Sequence, residues 1–79
     1  MAVEVMLTDG RVERFENAEG AALRGKTFVV LGYAANGPRV IATFVAAEVS
    51  WAEVRRSDLL RLVVYGDGRA AWLADDPGS

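Results

Sequence analysis

The 79-residue chain has room for one core, and with neither cysteine nor histidine it can form no disulfide and offers no imidazole as base or metal ligand. Its 9 basic and 11 acidic residues sum to −2, and two of the acids, Asp75 and Asp76, stand in the last five positions. The body is therefore charge-balanced, which excludes the basic excess of a polyanion binder, while 52% apolar residues point to surface buried twice, in a core and against another chain.

From the N-terminus, "AVEVMLT" alternates Val3, Val5 and Leu7 with Glu4, Met6 and Thr8, the period-two pattern of a half-buried strand. Asp9-Gly10 turns it back into "RVERFE". A glycine bulge after a type I turn pairs Glu4 with Arg14 and Val3 with Phe15, which matches opposite charges and apolar partners, so this register is preferred over one that sets Leu7 opposite Val12. "NAEGAALRG", 17 to 25, reads as a loop with a possible helical turn opened by Asn17 and closed by Gly25.

The most apolar part follows. "KTFVVLGYA" and "RVIATFVAA" flank Asn36-Gly37, and a two-residue loop there sets Tyr33 opposite Val40, Leu31 opposite Ala42, Val29 opposite Phe44 and Phe28 opposite Val45. Both faces of this hairpin are apolar, which places it inside a two-layer structure or against another subunit. In "EVSWAEVRRSD", 48 to 58, the Ser50 and Glu53 spacing suits a capping box, but Val49 and Trp51 alternate with Ser50 and Ala52, and a short strand is the preferred reading. "LLRLVVY" and "RAAWLA" flank Asp67-Gly68, with Leu62 expected opposite Leu73 and Val63 opposite Trp72. "DDPGS", 75 to 79, reads as a flexible acidic tail beyond a single domain of residues 1–74. The expected fold is all-β: six or seven short antiparallel strands in a meander, an SH3-like or similar partly open barrel.

Without histidine and cysteine the usual base near neutral pH and the strongest nucleophile are missing, and the acids stand in turns, on alternating strand positions or in the tail. The chain is therefore read as non-catalytic, with no cofactor, metal or catalytic residue assigned. No run reaches the roughly 18 apolar residues of a membrane span, and the start has no signal-peptide pattern, so a cytoplasmic protein is expected.

Two groups of side chains are candidates for contact. In an up-and-down meander the turns at Asp9, Asn36 and Asp67 share one rim, which would gather Arg11, Arg39 and Arg69 into a site for an anion or for the acidic loop of a protein partner. The competing expectation is that Asp9 and Asp67 neutralise their neighbours. Trp51 with Arg55 and Arg56 has the composition of an interface hot spot. The function expected is an interaction or assembly module that forms homo-oligomers. The alternatives are a nucleic-acid-binding small barrel, disfavoured by charge, and an accessory subunit or small-ligand binder of a larger complex.

Overall fold

The structure is a computed structural model that describes residues 2–55 and 60–74. Eight strands run β1 Val3–Leu7, β2 Val12–Phe15, β3 Gly20–Arg24, β4 Thr27–Ala34, β5 Gly37–Val45, β6 Val49–Arg55, β7 Leu60–Tyr65 and β8 Ala70–Ala74, with one 3-10 turn at Ala46–Glu48 between β5 and β6. The protein is all-β. Two antiparallel sheets are present, one of five strands in the order β2-β1-β6-β7-β8 and one of three in the order β3-β4-β5, and they do not close into a barrel.

The inner faces follow from period-two patterning. Val3, Val5 and Leu7 of β1, Ala52 and Val54 of β6 and Val64 of β7 turn inward from the larger sheet, and Phe28 and Val30 of β4 meet them from the smaller one. Ala21, Ala42, Phe44 and Phe15 complete the layer, and the Phe15 and Phe44 rings meet edge to face with centroids 6.1 Å apart. The chain leaves the larger sheet after β2, builds the smaller one, and returns at β6 to pair with β1 from Val3↔Val54 to Leu7↔Val49.

Glycine-bulge chemistry sets two of the hairpins. The Gly10 N–H donates to Leu7 O at 3.0 Å and the Leu7 N–H to Arg11 O at 2.9 Å, with Gly10 at φ +92°. This yields the expected register, Val3↔Phe15 and Glu4↔Arg14. Gly68, at φ +93°, does the same between Tyr65 and Arg69. The shared bulge moves the third hairpin one residue from expectation, so Leu62 pairs with Trp72 and Val63 with Ala71.

Three other expectations are corrected. The Asn36 turn has Ala35 and Asn36 as its loop, with Ala34↔Gly37 closing it, so Tyr33 meets Pro38 and Leu31 meets Val40. An irregularity between Val30 and Leu31 then shifts the ladder, leaving Ile41 as the extra residue and pairing Val30 with Ala42 and Phe28 with Phe44. The expected register would have put Phe44 on the face away from Phe28; the observed one unites both rings in the core. Residues 20–24, read as loop or helical turn, are strand β3, paired from Gly20↔Leu31 to Arg24↔Thr27. Segment 49–55 is a strand, as preferred. The tail at 75–79 lies outside the described residues.

At Gly66 the larger sheet passes against the 3-10 turn. A Cβ there would collide with the carbonyl oxygen of Val49 and come within 3.0 Å of that of Ala46. Backbone cannot yield as a flexible side chain does, so Gly66→Ala should cost about 1–3 kcal/mol, whereas Gly20→Ala, whose Cβ would meet nothing within 4 Å, should be neutral or slightly stabilising. Urea unfolding of the two variants, side by side, checks both values.

Candidate functional site

Asp9-Gly10-Arg11 and Asp67-Gly68-Arg69 are copies of one local structure. In the first, Oδ1 of Asp9 accepts the Arg11 backbone N–H at 3.0 Å and Oδ2 accepts Nε of Arg11 at 2.7 Å. In the second the corresponding distances are 3.1 Å and 2.7 Å. Each carboxylate thus closes its own turn and pairs with its own arginine. The backbone N–H bond is the main cause that holds the Asp9 and Asp67 carboxyls below the ordinary aspartate range, with the arginine side chains adding to it. Arg69 also lies over the Tyr65 ring, 5.1 Å from its centroid.

The expected rim of three arginines does not form. The Asp9 and Asp67 turns stand at one end, beside the 3-10 turn, as the bonds from Thr8 N to Glu48 O and from Gly66 N to Ser50 O show. The β3–β4 turn is there too, through Ala46 N to Lys26 O. The Asn36 turn closes the far end of β4 and β5, seven residues on from Thr27, about 23 Å at strand rise. Arg39, on Gly32↔Arg39, therefore stands apart from Arg11 and Arg69 because the chain changes sheets between the first turn and the second.

Trp51 and Arg55 do share a surface, the outer face of the five-stranded sheet; Arg56 lies outside the described residues. Cross-strand pairing lines up Val12, Met6, Trp51 and Tyr65 in one apolar row across β2, β1, β6 and β7. Trp51, 40% exposed, is a ridge between two shallow depressions. One is lined by Met6, Val12 and Glu4, the other by Val63, Tyr65, Leu73 and Arg61, and Glu53 borders both. The neighbouring rows carry charge. Arg14 pairs with Glu16 at 2.6 Å and with Glu4 at 3.5 Å, while Glu53 accepts from Arg61 at 3.1 Å and Arg55 at 3.3 Å. The Arg14 bond, first of all, lowers the Glu16 pKa, and Arg14 is raised in return. Reading residues one segment at a time missed this row, because Met6, Val12 and Tyr65 join Trp51 only once three registers are known. The Glu4 and Arg14 match was the one signal of it in the sequence.

The three-stranded sheet is built differently. Its inner face closes the core with Phe28, Val30, Ala42 and Phe44. On β4 and β5 its other face carries Thr27, Val29, Leu31, Tyr33, Pro38, Val40, Thr43 and Val45, none of them charged; Val29 is buried, and Arg24 of β3 pairs with Thr27 on the same face. Tyr33 at 68% and Val45 at 58% exposure are its most open apolar side chains. β5 is an edge strand of nine residues. Among the described residues no three metal-ligating side chains gather, and no helix is long and apolar enough to cross a membrane.

The turn carboxylates have a pH consequence. Their folded pKa values are depressed, so the stability they contribute is fully present above the unfolded aspartate value of about 3.9 and is lost as pH falls through the depressed folded value. The Asp9 and Asp67 carboxyl resonances should titrate with midpoints below that value. Unfolding free energy should fall less steeply below pH 4 in the Asp9→Asn, Asp67→Asn variant than in the wild type; equal slopes would show that the turns do not hold these bonds in solution.

Compared with protein-family models, with curated proteins and with solved structures, the chain has no significant match.

Proposed function

We propose that this protein is a non-catalytic interaction and assembly module that associates with itself through its three-stranded sheet and works in the cytoplasm. The observation that carries this reading is that the sheet is unfinished on two sides. Among the described residues the outer-face side chains Tyr33, Val40 and Val45 are left exposed, and β5 ends the strand order of its sheet. An apolar edge and face of this kind are templates for pairing in a small protein.

The connectivity supports an SH3-like assignment for the N-terminal part: a three-strand meander, a single 3-10 turn, and a strand that returns to the first. On this assignment β7 and β8 are an added hairpin that widens the larger sheet. The outer face of that sheet, with Trp51 at its centre, is the place for a different protein partner, and its paired charges favour a neutral one. They also argue against nucleic acid, since Arg11, Arg14, Arg55, Arg61 and Arg69 each have a carboxylate beside them.

Sedimentation velocity at micromolar concentration should show an oligomer that dissociates on dilution. Val45→Glu, at an exposed position on the unfinished sheet, should shift it to monomer while leaving the far-ultraviolet β spectrum unchanged. A wild-type chain that stays monomeric at tens of micromolar overturns the reading.

A further inference from the structure

We propose that Asn36 is a site of spontaneous covalent modification, at which the backbone nitrogen of Gly37 closes on the side-chain amide and converts it to aspartate and isoaspartate. This goes beyond the self-association reading and does not depend on it.

Asn17 and Asn36 carry the only side-chain amides of the chain, which has no glutamine, and each is followed by a small residue. The structure separates them. Ala18 is fully buried and its N–H donates to Phe15 O at 3.4 Å, so the nitrogen that would attack Asn17 is held in the core. Asn36 stands exposed at the tip of the hairpin between β4 and β5, and a Cβ on Gly37 would meet nothing within 4 Å. Its turn is also poorly matched to the strands. Neither Ala35 nor Asn36 has a positive φ, whereas the two-residue loops that follow strand twist need one at their first position. Ala34↔Gly37 is the last pair of the ladder, and local opening there frees the Gly37 nitrogen.

The other two hairpins carry Asp-Gly and are locked. The N–H groups of Gly10 and Gly68 donate to Leu7 O at 3.0 Å and Tyr65 O at 2.9 Å. The carboxylates of Asp9 and Asp67 are ionised and each holds the backbone N–H and Nε of its own arginine, and an ionised carboxylate resists attack by a nucleophile. Of the four described asparagine and aspartate residues, Asn36 alone therefore combines an uncharged electrophile, exposure and an unhindered neighbour.

In the reaction the Gly37 N–H gives its proton to water or hydroxide and the nitrogen bonds to Cγ of Asn36. Nδ2 takes up a proton and leaves as ammonia, which yields a five-membered imide. Water then adds to one of the two imide carbonyls. Breaking the bond from nitrogen to Cγ restores the chain as aspartate, and breaking the bond from nitrogen to the main-chain carbonyl leaves the chain running through Cγ as isoaspartate. Water enters, ammonia leaves and nothing is oxidised or reduced. Either product puts a carboxylate at the end of the uncharged outer face of β4 and β5, and isoaspartate lengthens the loop that Ala34↔Gly37 closes.

The test is incubation of the folded protein at mildly alkaline pH, followed by trypsin and mass spectrometry. Cleavage after Lys26 and Arg39 isolates Asn36 in residues 27–39, and cleavage after Arg14 and Arg24 isolates Asn17 in residues 15–24. Residues 27–39 should gain about 1 Da and resolve into two products of equal mass, at least about tenfold faster than residues 15–24 change. Asn36→Ser should abolish the new acidic species on ion exchange, and Asn17→Ser should leave it in place. When the incubation is carried out in water enriched in oxygen-18, residues 27–39 should take up the label, while residues 1–11 and 62–69, which carry Asp9 and Asp67, should not. Equal rates at the two asparagines overturn the proposal, as does a folded chain in which Asn36 persists while the same residue reacts in urea. Label entering at Asp9 or Asp67 as fast as at Asn36 overturns it too, because the turn bonds then do not select the site.

Discussion

The pairing of β1 with β6 is the contact on which the rest depends. It joins residues 3–7 to residues 49–54 across the whole smaller sheet, and without it β2 and β1 would form an isolated hairpin, marginal in water. With it, Val3, Val5 and Leu7 become the centre of a five-stranded sheet and find Phe28 and Val30 opposite. The loop-closure entropy of such a contact must be met before its burial is gained, so folding of this chain is governed by non-local steps. The two local Asp-Gly-Arg turns act in the other direction. They fix hairpin register with bonds that span no more than five residues.

This division explains which parts of the structure were legible in the sequence. The Val3↔Phe15 register could be read because a glycine bulge, a charge match and an apolar match agree within one hairpin. The same chemistry at Gly68 was present to be read, and applying a plain turn there displaced the partners of Leu62 and Val63 by one residue. At Asn36 the dipeptide rule failed because the core competes with it. Pairing Phe28 with Phe44 buries two rings on one side, and the chain accepts a bulge at Ile41 to reach that pairing. Strand β3 was invisible for a related reason: Gly20, Ala21 and Ala22 are weak strand formers, and it is β4, with its run of apolar residues, that makes a strand of them.

The arginines were the harder case. Their local chemistry was readable: two carry an aspartate two residues before them and are neutralised by it, as one of the expectations held. Their common location depended on topology, and the excursion from β2 to β6 placed Arg39 on the other sheet. What a sequence of isolated hairpins hides is the outer face of the larger sheet, where Glu53 meets Arg55 from its own strand and Arg61 from the next.

The two sheets thus treat charge in opposite ways, and the difference bears on how each could meet a partner. On the larger sheet every arginine among the described residues is matched on the same face or in the same turn, so a partner gains shape and apolar contact there but little steering. On the smaller sheet the outer face of β4 and β5 is uncharged, and the charged residues Arg24 and Arg39 stand on its two edge strands. Backbone hydrogen bonds between strands are tolerant of register, because every second residue offers the same groups, and an apolar edge alone would pair with itself in several frames and with other edges too.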